Sequence, residues 1–258
     1  MKTKNKYTFL TYITWMVILC VWFLLTNRES VSSSLFPSPS QVWQAFVMIM
    51  TEGYNGTSFW KHAGISLYRL SLSCLLALVT AIPLGLLSGY FKAFRAIIDS
   101  IVQFYRPLPP LAYYTLLILW LGIDESSKVT LLFLAAFSPI YLACVSAVGS
   151  INPDYIYNAE SLGASKKAVF FTVVLPSCLP NIFTGLRTAV GVAYTTLVSA
   201  EMIAATSGIG WMVIDASRYL KSDVMFVGII IMGITGILLD MMLRLLENHF
   251  VFWKGKED

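Results

Sequence analysis

Six apolar runs dominate the chain, each interrupted by no more than two charged residues: 9–26, 64–90, 101–121, 129–149, 181–204 and 224–246. A helix rises about 1.5 Å per residue, so some twenty residues cross the roughly 30 Å of hydrocarbon in a bilayer. The runs are continuous and do not alternate apolar with polar residues, which sets them apart from the strands of a transmembrane barrel. Only 12% of the 258 residues are charged and 57% are hydrophobic. A soluble domain carries about 25% charged residues, and this chain has too little polar surface to cover itself in water. The expected fold is an all-α polytopic membrane protein with about six transmembrane helices.

The net charge of +4 follows from residues that flank these runs, so topology explains it without a nucleic-acid partner. Ten basic residues flanking the runs or, for Arg244, just inside a run end fall on one side of the alternating spans: Lys2, Lys4, Lys6, Lys92, Arg95, Lys166, Lys167, Arg244, Lys254 and Lys256. Five fall on the other: Arg28, Lys61, Lys128, Arg218 and Lys221. The positive-inside bias then puts both termini in the cytosol. Trp60, Trp120, Trp211 and Trp253 fall near span ends, where interfacial anchors sit. The basic N-terminus resembles a signal peptide, but its apolar core is long and no small-residue cleavage site follows. It reads as an uncleaved first span. Cys20, Cys74, Cys144 and Cys178 form no metal or redox spacing and read as small apolar fillers.

Between the first two spans, Ser38 and Pro39 form a helix start. Trp43, Phe46, Val47 and Met50 then share one helical face, which predicts a short surface helix on the outer interface or on the bundle. The second run holds Pro83, Gly85 and Gly89. Close packing at the GxxxG pair and a hinge at the proline are both open readings.

A polar segment, 152–176, separates the fourth and fifth runs. Asn152 suits an N-cap, Pro153 the first helical position and Asp154 the positive end of the helix dipole. Ile156, Ala159 and Leu162 supply one apolar edge, and Gly163 suits a left-handed stop. Ser165 caps a second helix carrying Val169, Phe170, Val173 and Val174, which Pro176 is expected to end. The prediction is two short helices joined at Gly163, forming a compact cytosolic knob.

This segment resembles the EAA loop in permease subunits of binding-protein-dependent ABC importers. The family pattern is E-A-A, three residues, G, nine residues, I-x-L-P. Aligned on Gly163, Ala159 is the second alanine, Val173 replaces the isoleucine, and Leu175 and Pro176 match. Tyr157 and Asn158 stand where the family has Glu and Ala. YRPLPPLAY (105–113), LGIDESSK (121–128), LPNIFTGLR (179–187) and LVSAEMIAATSGIGWMV (197–213) are similar to the taurine and aliphatic-sulfonate branch. Nitrate, bicarbonate and pyrimidine-precursor permeases share much of the pattern. The resemblance implies a type I importer permease (MetI-like) fold in a bacterial inner membrane, and a substrate such as taurine. It implies a first span and surface helix over 1–63, a core permease domain over 64–250 and a cytosolic tail over 251–258. It also implies a partner ATPase dimer that binds the ATP, an extracytoplasmic solute-binding protein and a second permease copy. The ATPase contact would fall on Tyr157, Ala159, Gly163, Ala164, Leu175 and Pro176.

The chain lacks GxxxxGK[ST], HExxH and GxSxG, so no nucleotide-binding or hydrolytic motif accompanies the spans. His62 and His249 lie far apart near span ends and read as interfacial. Ionisable groups in spans are costly and face protein, water or an interface. Arg69, Arg106, Arg187, Glu201 and Asp240 are such groups. Arg106 and Arg187 either snorkel to the inner surface or border a vestibule that favours an anion; Glu201 pairs with a basic residue or helps close an outer gate. Small residues along the fifth run (Gly185, Ala189, Ala193, Ala200) suit tight packing or a passage, with Tyr194, Thr195 and Ser199 as hydrogen-bonding groups. A secondary transporter or channel, and a membrane-embedded enzyme, are the competing classes. The chain shows neither the repeats and mid-span carboxylate pairs of the first nor the clustered ligands of the second.

Overall fold

The structure, a computed structural model, describes residues 2–26 and 35–253. The expectations for Arg28, Lys254, Lys256 and the tail beyond Trp253 lie outside the described residues. All named elements are helices: α1 (Lys2–Thr26), α2 (Pro39–Thr51), α3 (Phe59–Tyr90), α4 (Lys92–Tyr105), α5 (Pro110–Leu121), α6 (Glu125–Gly149), α7 (Pro153–Ser161), α8 (Lys166–Val169), α9 (Leu175–Ala204), α10 (Ile209–Arg218) and α11 (Ser222–Phe250). A π-helical turn, Phe170–Val174, joins α8 to α9.

Four helical runs are long and apolar enough to cross a membrane: α3, α6, the continuous Lys166–Ala204 run and α11. Shorter apolar helices occupy Tyr12–Thr26 and Pro110–Leu121. The third expected span is not one helix. Arg106 to Pro109 break it into α4 and α5, because Pro107, Pro109 and Pro110 remove amide donors and bias the residues before them away from helical geometry. At 12 residues, α5 extends only about 18 Å.

The core is the α3–α6–α9 packing, and its glycines set the helix separations. A β-carbon at Gly85 would meet Cys144 Cβ at 2.5 Å, one at Gly89 would meet Val148 Cβ at 2.5 Å, and one at Gly185 would meet Ala143 Cβ at 2.3 Å. Helix α3 continues through Pro83 without interruption. The GxxxG pair therefore serves close helix approach.

Helix α2 starts as expected. Ser38 Oγ accepts from Gln41 N at 3.4 Å and the Gln41 side chain accepts from Ser38 N at 2.8 Å, a capping box ahead of Pro39. Its packed face overlaps the expected one only in part, since Phe46 and Met50 are half-buried against the neighbouring cluster. Val42, Ala45 and Ile49 are buried, whereas Trp43 and Val47 are exposed. Apolar residues lie on several sides of this helix, so periodicity alone mis-assigns the inward stripe. Trp211 is also placed differently: it stacks on His62 at 5.5 Å inside the fold. His62 is buried, its Nδ1 accepts from Gly208 N at 3.2 Å and its Nε2 lies 3.4 Å from Tyr54 O. His62 is thus held inside the protein, with Trp211 half-buried against it. Nearby, burial raises the Tyr54 phenol pKa above its ordinary value, as does its hydrogen bond to Asp215.

Candidate functional site

The polar 152–176 segment folds as two capped helices. Asn152 Oδ1 accepts from Asp154 N at 3.0 Å, and Pro153 occupies the first turn of α7. The helix closes in a Schellman motif: Gly163 N donates to Glu160 O (2.9 Å), Ala164 N donates to Ala159 O (3.1 Å), and Gly163 has φ +86°. Ser165 Oγ then accepts from Ala168 N at 3.3 Å, starting α8. Ile156, Ala159, Ala164, Phe170, Val173 and Leu175 pack on the main core, while Tyr155 and Tyr157 are exposed.

Two local expectations are corrected. Leu162 is 90% exposed and does not continue the apolar edge, because α7 stops at Ser161 and the cap turns the chain outward. Pro176 does not end the second helix. The π-turn, in which Leu175 N donates to Phe170 O, widens the helix just before the proline ring, and the run continues to Ala204. The knob is thus joined to the fifth apolar run by continuous helix.

A groove of about 520 Å³ lies beside α6 and α9 in the half of the bundle nearer this knob. Its polar lining is Arg106, Ser138, Ser146, Asn181, Thr184 and Thr188. Arg106 stands at the break between α4 and α5, is exposed, and has no ion-pair partner among the described residues. No carboxylate lines the groove. Thr195 and Ser199 extend the Asn181–Thr184–Thr188–Val192 stripe at helical spacing. Their hydroxyls donate to Val192 O and Thr195 O. Farther from the knob, Tyr114, Leu117, Leu131 and Ala200 form a separate apolar cluster between α5, α6 and α9.

The other candidate residues lie elsewhere. Arg187 faces α11, pairing with Asp240 at 2.9 Å and Glu247 at 3.5 Å. Tyr194 donates to Met232 O at 2.8 Å on the same seam. Both line a smaller cavity of about 110 Å³ between α9 and α11. Arg106 and Arg187 therefore do not share a site.

Glu201 is buried at the end of the bundle away from the knob. Arg69 Nη1 reaches its Oε1 at 2.8 Å, Ser66 Oγ donates to the same oxygen at 2.7 Å, and Gly210 N donates to Oε2 at 2.9 Å. Arg69 also grips Glu125 through two hydrogen bonds of 2.6 Å and donates to Ser207 O at 2.8 Å. The cluster ties α3, α6, α9 and the start of α10 together. Gly208 is required there, since a β-carbon would lie 2.3 Å from the Glu201 carboxyl carbon and its φ is +126°. The sequence shows Arg69 and Glu201 as in-span charges, but Glu125 looks like an ordinary loop acid. Only the fold brings positions 56 and 132 residues away onto Arg69.

Comparison with known proteins agrees with this architecture. Residues 81–251 match the family described as binding-protein-dependent transport system inner membrane component. The chain is 39% identical to the taurine transport system permease protein TauC of Escherichia coli, over 93% of this chain and 88% of that protein. It is 34% identical to the putative aliphatic sulfonates transport permease protein SsuC of Escherichia coli, over 98% and 96% of the two chains. It is 32% identical to the nitrate import permease protein NrtB of Synechocystis, over 91% and 86%. With two thirds of its length inside the family match and near full-length relatives, the chain belongs to the inner-membrane permease components of binding-protein-dependent ABC importers.

Proposed function

We propose that this permease component carries taurine or another small sulfonate inward by alternating access, driven by a partner ATPase dimer seated on the α7–α8 knob. The carrying observation is the groove, which offers one unpaired guanidinium, Arg106, several hydroxyls and no carboxylate. A sulfonate is a permanent anion with three acceptor oxygens, and a guanidinium fork matches it in charge and donor geometry. The names of the relatives support the same substrate class. The groove lies on the knob's side and the apolar α5 cluster on the far side; this arrangement corresponds to an inward-facing state.

The polar stripe of α9 is unsuited to lipid, which supports a homodimer in which a second copy closes the passage. The knob end is assigned to the cytosol. Trp253, the last described residue, lines a hollow with Tyr155 and Asn158 of the knob. Trp22, near the end of α1, stacks on Phe226 near the start of α11. Both termini then face the cytosol, in keeping with the basic-residue bias. Tyr157, Ala159, Gly163, Ala164, Leu175 and Pro176 form or support the ATPase contact; Arg106, Thr195 and Ser199 border the solute path. Arg187, Tyr194 and Glu201 hold the helices that frame it.

The test is ATP-dependent uptake into vesicles by the complex reconstituted with its ATPase and binding protein, using taurine, longer alkanesulfonates and nitrate. Taurine or another small sulfonate is expected to be carried, and Arg106→Gln is expected to slow that uptake about tenfold or more. Transport of nitrate alone, or of none of these anions, overturns the substrate class.

A further inference from the structure

A sulfonate group has acceptor oxygens and no donor, so the groove residues able to hold it are those with a proton to give. A serine or threonine hydroxyl has one such proton. On the α9 wall that proton is already used. Thr184 Oγ1 donates to Pro180 O at 3.0 Å and Thr188 Oγ1 to Thr184 O at 3.1 Å. Thr195 and Ser199 also donate to their own helix. These hydroxyls make the α9 face polar without offering donors to an anion.

The α6 wall differs. Ser138 and Ser146 line the groove, and neither bonds to a carbonyl of its own helix among the described residues. The two serines are eight positions apart in α6, about 12 Å along the axis, so one small anion does not touch both. Ser146 lies nearer the knob, as does Asn181, whose Nδ2 is 3.5 Å from Ser150 Oγ.

Ser138 lies near the cation. Its hydroxyl neighbours that of Tyr105, the residue before Arg106. Since Arg106 and Ser138 both line the groove, chain continuity sets guanidinium and hydroxyl in the same part of it. The Tyr105 hydroxyl is buried and lacks a well-formed hydrogen bond among the described residues, which is costly for a polar group. The polar side chains beside it are Tyr113 and Ser138. An anion that takes the Ser138 proton leaves Ser138 Oγ as acceptor for the phenol, so the two bonds form together and polarise each other.

We propose that Arg106 and Ser138 form the anion subsite of the groove, and that Tyr105 is a positioning residue that donates to Ser138 Oγ and turns the serine proton toward the sulfonate. The guanidinium fork serves two sulfonate oxygens and Ser138 the third. With no carboxylate in the groove, the subsite does not read the ammonium of taurine. The subsite deepens the sulfonate reading above and rests on it.

The test compares variants in the complex reconstituted with its ATPase and binding protein. Ser138→Ala is expected to slow taurine uptake about tenfold, as loss of a hydrogen bond to a charged group does. It is expected to slow uptake of an alkanesulfonate without an amine by the same factor. Thr184→Val removes a hydroxyl already spent on Pro180 O and is expected to change uptake by less than about twofold. Tyr105→Phe is expected to slow uptake several-fold alone and to add nothing to Ser138→Ala, a coupling that separate packing losses do not produce. Binding is read from Thr188→Cys combined with Cys20→Ser. Taurine is expected to slow labelling of that cysteine by a neutral maleimide, and Ser138→Ala to raise the taurine concentration required about tenfold. Equal losses in Ser138→Ala and Thr184→Val overturn the subsite, as do additive losses in the Tyr105→Phe, Ser138→Ala pair. So does labelling that taurine leaves unchanged while the wild-type complex carries taurine. Absence of sulfonate uptake by the wild-type complex instead removes the substrate reading, and the subsite with it.

Discussion

Arg69 is almost fully buried, and its guanidinium carries two carboxylates and a backbone carbonyl. Its replacement leaves Glu201 buried without a counter-charge, and removing one member of a buried pair costs about 3–5 kcal/mol. Arg69→Met is therefore expected to lower the melting temperature of the purified protein sharply. Glu125→Gln is expected to cost much less, because that side chain is half exposed. Equal losses from the two would refute the view that burial sets the difference. The sequence makes Arg69 conspicuous as a cation inside an apolar run, and the pairing of Glu201 with a basic residue is among the open readings there. It does not distinguish Arg106, unpaired at the groove, from Arg187, paired across α9 and α11. Those roles depend on the direction in which each helix face points, and the break at Pro107–Pro110 resets that direction for Arg106.

At the scale of elements, glycines with the same propensity cost have opposite roles. Gly185 sits where a β-carbon would clash with Ala143, whereas nothing lies within 4 Å of the corresponding position at Gly191. Gly185→Ala is expected to destabilise by about 1–3 kcal/mol through overpacking. Gly191→Ala is expected to be neutral or stabilising by up to about 1 kcal/mol through helix propensity. Thermal melts in detergent check the sign of each, and a destabilised Gly191→Ala would mean that an unseen neighbour fills that space. The caps of α2, α7 and α8 were legible because Ser38, Asn152 and Ser165 act through local hydrogen bonds. The inward face of α2 and the continuation of the fifth helix through Pro176 were not. The first is decided by which neighbour α2 meets, and the second by a π-turn that no residue pattern marks.

Across the whole molecule, the knob and the fifth helical run form a single lever, since Lys166–Ala204 is helical throughout and passes beside the groove. Under the proposed coupling, displacement of the knob by a partner would be transmitted along α9 to the polar stripe. The direction of that lever depends on the α7 cap, and Gly163 makes the dependence testable without a steric clash. No atom of the described residues lies within 4 Å of its ideal β-carbon, so within this chain a substitution acts through the φ of +86°. Gly163→Asn, which tolerates left-handed backbone, is expected to keep ATP hydrolysis coupled to uptake. Gly163→Val, a β-branched residue for which this backbone is a genuine outlier, is expected to open the cap and swing α7 away from Ala164. Basal ATPase activity should then persist while solute uptake per ATP falls several-fold, measured on the same vesicles. Uptake per ATP that is identical in the valine and asparagine variants would show that the angle between α7 and α8 does not carry force, and that coupling enters the bundle by another contact.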